Sequence, residues 1–309
     1  MLHLAIVVTA PPEAYLITPA DMRCVFDRLP FAWRVDQRWL GPGEAWEAQI
    51  LVPGCDDAER ALGITRDGLA GRAVDINLVP AGRHRRKRLL VADMESTIIE
   101  QEMVDELADR VGLRAQVAEI TERTMRGELP FEASLRQRVA LLKGLEAKIL
   151  DEVFEASATL MPGARTLLAT MKRDGAARAL VSGGFTVFTQ RVAHWVGFGI
   201  HHGNVLEVAC GRLTGRLKEP LLGPETKRDA LLRIAEEKGL DIAETLAVGD
   251  GANDLPMLTA AGLGVAFRAQ PKVRETVGAL RTGAVVTYGD LTALLYLQGY
   301  RREEFARSS

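Results

Sequence analysis

Three short segments place oxygen-bearing side chains directly after apolar runs. In "VADMEST", Asp93 and Glu95 stand one residue apart at the end of such a run. The segments "LVSGG" and "AVGDGAND", with the stretch between them, add six more candidates: Ser182, Gly183, Lys227, Asp250, Asn253 and Asp254. Clustered carboxylates are the ligands that Mg2+ prefers, and hydroxyl, ammonium, amide and glycine N–H groups can hold a phosphoryl group. An isolated D-x-E pair, in contrast, most often only closes a strand with a polar turn.

The elements that must position these residues follow from the pattern of the chain after residue 87. Apolar runs typical of strands alternate there with segments typical of helices, which predicts a parallel sheet with helices on both faces. Ligands of such sheets bind at the carboxyl ends of the strands, so we expect the candidates to surround one mouth. A helical stretch from about 98 to 160, broken near "RGELPF" and "KGLEAK", is too long for a simple crossover and predicts a separate helical cap.

Residues 1–82 have a different pattern. The segments read β-α-β-β-α-β, the order of a ferredoxin-like unit, with Thr18 as N-cap and Pro19 as the first residue of the first helix. No set of catalytic side chains converges there, which favours a regulatory or assembly role, such as homodimer formation through this unit. Five of the six residues of "RHRRKR" that follow are basic. We expect this run to meet acidic groups of a neighbouring unit rather than nucleic acid.

Composition excludes several classes of function. The 309 residues carry a net charge of −2, with 47% hydrophobic and 26% charged residues, so no general attraction to nucleic acid or to an anionic membrane is expected. No stretch approaches the roughly 18 apolar residues of a membrane helix, and "LHLAIVVTA" lacks the basic start of a signal peptide. Cys24, Cys55 and Cys210 have no metal or redox spacing and are interpreted as reduced core thiols of a cytoplasmic protein.

The ordered set "DMEST", "SGG", Lys227 and "GDGAND" resembles the four motifs of the haloacid dehalogenase-like phosphatases. The segments "DMESTIIEQEMVDELA" and "TMRGELPFEASLRQRVALLKGL" resemble, more narrowly, the phosphoserine phosphatase branch of that family, and the likeness covers about residues 85 to 295. The N-terminal unit is similar to the ACT-like extension of some members. The resemblance implies an α/β Rossmann-like core with a parallel sheet and a helical cap in residues 83–309, after an ACT-like domain in residues 1–82.

The resemblance also implies an activity, the Mg2+-dependent hydrolysis of O-phospho-L-serine to serine and phosphate in serine biosynthesis. Asp93 would be the nucleophile that forms an aspartyl-phosphate. Mg2+ would be held by Asp93, Asp250 and the backbone carbonyl of Glu95, with Asp254 close by. The groups that would hold the phosphoryl oxygens are Ser182, the Gly183 N–H, Lys227 and Asn253.

In the cap, the resemblance assigns the amino acid part of the substrate to two side chains. Glu102 would bind its ammonium group and Arg138 its carboxylate, which a guanidinium matches with two hydrogen bonds. Met125 and Phe131 would exclude water from the site. Taken singly, Glu102 could only favour a helix dipole, Arg138 could be a surface residue, and Lys227 could be an exposed lysine at a helix start.

Glu95 departs from the family pattern, which has aspartate as the general acid and base at this position. Its intrinsic pKa is similar, about 4.3 against 3.9, but the side chain is one methylene longer, and a misplacement of about 1 Å can reduce a rate roughly 100-fold. Two alternatives stay open at this point. The chain could act on another small phosphomonoester, or it could be a catalytically silent module that senses serine.

Overall fold

A computed structural model describes residues 1–125 and 128–307, except for the side chain of Met125. Its first part contains the strands β1 (Leu2–Thr9), β2 (Arg34–Gly41), β3 (Ala45–Val52) and β4 (Asp75–Pro80) and the helices α1 (Pro19–Arg28) and α2 (Cys55–Gly68). The strands form an antiparallel sheet in the order β2-β3-β1-β4, so the predicted ferredoxin-like order is confirmed. Thr18 caps α1 as predicted, because its side chain accepts the N–H of Asp21.

The second part of the chain builds a larger parallel sheet. The strands of this part are β5 (Leu89–Ala92), β6 (Ala177–Phe185), β7 (Ile200–Asn204), β8 (Leu206–Ala209), β9 (Arg212–Leu217), β10 (Thr245–Gly249), β11 (Leu263–Phe267) and β12 (Gly283–Val286). Strands β8 and β9 form a separate hairpin. Six of these strands pair in the order β12-β11-β10-β5-β6-β7, all in parallel. Every residue of β5, β10 and β11 is buried, as expected for strands covered on both faces. The predicted α/β class is confirmed.

The described helices of this second part divide into four in the predicted cap segment and six that alternate with the strands of the sheet. The four are α3 (Met103–Arg110), α4 (Arg114–Met125), α5 (Phe131–Ala140) and α6 (Ile149–Ser157). The break near "KGLEAK" was predicted, the break between α3 and α4 was not, and the predicted break near "RGELPF" lies partly outside the described residues. Six more helices flank the sheet strands: α7 (Ala164–Arg173), α8 (Thr186–Val196), α9 (Pro224–Glu237), α10 (Leu255–Ala260), α11 (Pro271–Gly278) and α12 (Ala293–Leu297). The two connections to the cap run together, since Ile99 pairs with Leu160 and Met161 N donates to Ile98 O at 2.9 Å.

Two polar side chains of β4 join the N-terminal sheet to the edge of the larger sheet. Asn77 donates from Nδ2 to the carbonyl of Val285 in β12 at 2.9 Å and accepts its N–H at Oδ1 at 2.7 Å. Asp75 accepts the N–H groups of Thr287 and Gly289 at 2.8 and 2.9 Å. These contacts pair the edge strands β4 and β12 through side chains, so neither edge strand is left open along this stretch.

The basic run before β5 contacts acidic side chains of both parts of the chain, as predicted. Arg85 donates to Glu47 of β3, which is fully buried, while Arg86 pairs with Glu304 and Arg88 with Glu244. In the described ranges, no helix combines the length and the apolar character required to cross a membrane.

Candidate active site

The three motif segments meet because their strands are neighbours in the larger sheet. Asp93 follows β5, Asp250 follows β10, and Ser182 lies in the final part of β6, and β5 is the strand between the other two. Parallel strands end at the same edge, so all three side chains lie at one mouth. Asp93 N continues the pairing by donating to Val248 O at 3.0 Å.

Lys227 is the cation of this mouth. Its ammonium lies 2.8 Å from Asp93 Oδ1 and 2.6 Å from Asp254 Oδ1, and all three side chains are buried. Burial alone would lower the pKa of Lys227, but the carboxylates of Asp254 and Asp93 outweigh it and raise the pKa. The lysine is therefore a fixed positive charge, held by α9, whose first residue is Pro224.

Three carboxylates of the mouth lie close enough to share a cation. Asp93, Asp250 and Asp254 each offer an oxygen within 4.8 Å of the others. Desolvation, reinforced by Asp254, raises the pKa of Asp93, and the same two causes with Glu102 raise the pKa of Asp250 to about 7. Such raised values report a site whose negative charge exceeds what Lys227 neutralises, and a divalent cation would relieve that excess.

Glu95 occupies a place between the strand end and the cap. Its Oε1 accepts the N–H of Met103, the first residue of α3, at 2.9 Å. Its Oε2 lies against Gly184, where an added Cβ would come within 2.8 Å of that oxygen. Desolvation, then the charges of Glu102 and Asp93, raise the pKa of Glu95, which favours a carboxyl group that carries a proton.

The cap presents two side chains of opposite charge. Glu102 is exposed but lies beside Ser96, whose hydroxyl donates to Oε1 at 2.8 Å, and desolvation with nearby Asp105 raises the pKa of Glu102. Arg138 is half-buried, and among the described residues its buried Nε has no hydrogen-bond partner. The positive charge of Arg138 opposes the rise in the pKa of both Glu95 and Glu102, so Arg138 is close enough to interact electrostatically with both.

The remaining predicted residues line the same mouth. Gly184 N donates to Ser182 Oγ at 2.9 Å, so the serine hydroxyl is held by the glycine loop. Phe131 lies over this loop, 3.2 Å from where a Cβ on Gly183 would stand. Asn253 is half-buried in the 3-10 turn from 252 to 254. The predicted role of Met125 falls on a side chain outside the described residues.

Two residues of the site were not singled out from the sequence. Thr97 donates from its hydroxyl to Asp250 Oδ1 at 3.3 Å, and Asn204 binds the carbonyl of Gly183 at 2.8 Å. The spacing of D-x-E-x-T could have indicated Thr97, since the threonine closes the first motif. Asn204 ends a strand with no apolar run, "IHHGN", and gave no comparable signal.

Comparison with known proteins agrees with this geometry. Residues 90–259 match the model of the haloacid dehalogenase-like hydrolase family, more than half of the chain. The chain belongs to the haloacid dehalogenase-like hydrolases. The predicted family is thus confirmed, and the matched range contains every motif residue described above.

Individual members of the family extend the likeness. A phosphoserine phosphatase of Streptomyces coelicolor is 48% identical over 236 residues, which cover 76% of this chain and 56% of that protein. A probable phosphoserine phosphatase of Schizosaccharomyces pombe is 39% identical over 300 residues, 94% of this chain and 96% of that one. The chain spans about half the length of several curated relatives that it matches.

A solved structure shows the same arrangement over nearly the whole chain. The unliganded probable phosphoserine phosphatase of Vibrio cholerae superposes with a TM-score of 0.73 at 32% identity, and the match covers 97% of this chain and 87% of that one. The hydrolase fold and the antiparallel sheet before it are therefore shared with that protein.

Proposed function

We propose that this hydrolase releases phosphate from O-phospho-L-serine through an aspartyl-phosphate on Asp93. The observation that carries the proposal is the buried Asp93–Lys227–Asp254 group at the sheet mouth, facing Glu102 and Arg138 of the cap segment. Phosphoserine joins a phosphoryl group to an amino acid, and these two parts would need the first and the second set of charges, respectively, next to each other. The relatives named phosphoserine phosphatase support the substrate.

The donor set fits Mg2+. The clustered oxygens of Asp93, Asp250 and Asp254 are all carboxylate oxygens, the kind of ligand that a hard cation takes. We assign Asp93, Asp250 and the backbone carbonyl of Glu95 as ligands, with Asp254 as the support that also holds Lys227. When bound, Mg2+ would supply positive charge against the phosphoryl oxygens.

In the first step, a carboxylate oxygen of Asp93 attacks phosphorus as the bond from phosphorus to the serine oxygen breaks. Oδ1 is engaged by Lys227 and by Met94 N at 2.8 Å each, whereas no described residue donates to Oδ2, which leaves Oδ2 as the attacking atom. Glu95 gives its proton to the departing serine oxygen. Ser182, Gly183 N–H, Lys227 and Asn253 hold the phosphoryl oxygens as charge develops on them.

In the second step, water attacks the phosphorus of the aspartyl-phosphate. Glu95, now ionised, takes a proton from that water, and the bond from phosphorus to the Asp93 oxygen breaks. Inorganic phosphate leaves, and both carboxyl groups return to their starting states. General acid and base assistance of this kind is typically worth about 10²- to 10⁴-fold.

Substrate recognition is assigned to the cap. Glu102 would bind the ammonium of phosphoserine, and the unpartnered Nε of Arg138 is supporting evidence for an anionic partner, since a buried donor without an acceptor is unfavourable. Phe131 would close the apolar side over the glycine loop.

We make three further proposals, which concern the domains, the oligomeric state and the cellular location of the protein. Residues 1–82 would form an ACT-like domain, and residues 83–309 the phosphatase domain with its cap at about 98–160. The N-terminal domain would mediate a homodimer, for which its antiparallel sheet offers an edge strand in β2. The protein would act in the cytoplasm, as the thiol side chains without disulfide partners among the described residues suggest, although the three cysteines are exposed and the prediction that they lie in the core was wrong.

Phosphate release from O-phospho-L-serine tests the function. We expect release by the wild type with Mg2+, none after EDTA, and none by Asp93→Asn with Mg2+. Asp229→Asn, an exposed aspartate of α9, is the matched control and should retain full activity. Equal release by Asp93→Asn and wild type would refute the aspartyl-phosphate route, and activity on phosphohomoserine but not on phosphoserine would refute the substrate.

A further inference from the structure

Asn204 lies where two phosphoryl-binding segments come together. It is the last residue of β7, and its side chain is 1% exposed. Nδ2 donates to Gly183 O at 2.8 Å, and Oδ1 accepts the N–H of Leu222 at 2.8 Å. One carboxamide therefore connects the glycine loop to the segment that leads into α9.

The need for this contact comes from an irregularity between β6 and β7. Val181 pairs with His202 and Phe185 with Asn204, so three residues of β6, from 182 to 184, lie opposite Gly203 alone. The loop formed by these residues leaves the ladder, and its carbonyl at Gly183 loses a backbone partner. The Asn204 amide replaces that partner.

Asn204 acts on Ser182 through the orientation of one peptide group. Gly183 C=O and Gly184 N–H belong to the same planar peptide, so fixing the carbonyl also fixes the N–H. That N–H donates to Ser182 Oγ at 2.9 Å. Asn204 thus sets the direction of the serine hydroxyl without touching it.

The carboxamide oxygen of Asn204 contacts the segment that leads into α9, the helix that carries Lys227. Leu222 precedes Gly223, the N-cap of α9, whose N–H in turn donates to Thr226 Oγ1 at 3.1 Å. Lys227 is the next residue and carries the ammonium that contacts Asp93. A shift of residue 222 would move the start of α9 and with it Lys227.

We propose that Asn204 is a positioning residue that sets Ser182 and Lys227 at the separation a phosphoryl group requires. The proposal deepens the function proposed above and depends on it only in that the mouth binds a phosphoryl group. A displacement of about 1 Å at such a site can reduce a rate roughly 100-fold. We therefore expect the loss of the Asn204 carboxamide to weaken phosphate binding by more than its effect on the free energy of unfolding would explain.

The chain provides a matched control in Asn77. This asparagine of β4 is also buried, and its carboxamide also binds backbone groups, here the N–H and C=O of Val285 in β12, which is the edge strand opposite β7 in the larger sheet. Asn204→Ala and Asn77→Ala should lower the free energy of unfolding by similar amounts. Only Asn204→Ala should weaken the binding of inorganic phosphate, by about 10-fold or more, measured by calorimetry with Mg2+.

Two further variants separate positioning from general damage. Asn204→Leu keeps the size but removes the donor to Gly183 O and the acceptor for Leu222 N without adding a charge, and it should weaken phosphate binding even where Asn204→Ala folds poorly. In a Ser182→Ala background, Asn204→Ala should have a clearly smaller effect, because its action runs partly through that hydroxyl.

Several results would overturn the proposal. They are unchanged phosphate binding by the folded Asn204 variants, an equal loss in Asn77→Ala, or a full additional loss in the Ser182→Ala background. Because the probe is inorganic phosphate, the experiment tests the role of Asn204 separately from the proposed substrate. A wild type that binds phosphate but leaves phosphoserine intact refutes the proposed substrate, and the variants still decide the role of Asn204.

Discussion

At the scale of single residues, the site depends on charges that are placed before any ligand arrives. Lys227 is surrounded by Asp93 and Asp254, and Arg138 keeps a buried Nε without a partner among the described residues. The motif residues could be predicted from the sequence because their types and order are specific. The hydrogen bonds of Asn204 could not, since they arise from an irregular strand pairing that leaves no mark in the residue pattern.

Arg138→Ala should reduce kcat/KM for phosphoserine by about 30-fold or more, since truncating one partner of a buried charge pair typically costs about 2 kcal/mol or more. Turnover of O-phosphoethanolamine, which has no carboxylate, should fall far less. Arg136→Ala is the control, because Arg136 is an exposed residue of the same helix and pairs with Glu219. Equal losses on both substrates would mean that Arg138 serves the fold or the phosphate.

At the scale of elements, strands and helices with clear apolar periodicity were predicted, and so was the start of α1 at Pro19. The apolar run before Asp93 forms β5, and four helices lie in the segment predicted as the cap, but β7 was missed because "IHHGN" has one apolar residue in five. The helix α11 was also missed. Such short elements form because neighbouring strands supply their partners, which local sequence does not reveal.

Lys87, next to β5, allows a prediction about pH. Its ammonium donates to Ala243 O at 2.6 Å, and burial lowers its pKa from 10.5 to about 8. Between these values the unfolded chain binds more protons than the folded one, so the stability of the folded state rises with pH across this window.

Relative to Lys87→Met, the wild type should therefore gain about 3 kcal/mol of unfolding free energy from below pH 8 to about pH 10.5. Urea unfolding of both proteins at the two ends of the window measures the change. Lys172→Met, at an exposed lysine, is the control for the loss of one ammonium group. A constant difference between wild type and Lys87→Met would contradict the lowered pKa.

At the scale of the whole molecule, two sheets are joined by buried polar contacts. Asp75 receives N–H groups of the segment after β12, and Glu47 lies between Arg38 and Arg85 without exposure to solvent. The ferredoxin-like order could be predicted from the sequence. Its docking could not, because Asp75 and Asn77 have the same pattern as ordinary polar residues of an edge strand.

Asp75→Ala should lower the free energy of unfolding by about 2 kcal/mol, since it leaves the N–H groups of half-buried Thr287 and buried Gly289 without their acceptor. Denaturant unfolding at neutral pH is the measurement. Asp36→Ala, at an exposed position of β2, should change the stability little. A loss no greater than that of Asp36→Ala would show that the joint between the sheets contributes little.

Rapid-quench kinetics of Glu95→Gln test whether Asp93 attacks phosphorus while Glu95 transfers the proton. The serine alkoxide is a poor leaving group that needs a proton, whereas p-nitrophenolate hardly does. We expect Glu95→Gln to form the phosphoenzyme from phosphoserine about 10²- to 10⁴-fold more slowly, to keep the p-nitrophenolate burst, and to hydrolyse the intermediate slowly with either substrate. An equal loss of phosphoenzyme formation with both substrates would contradict this assignment.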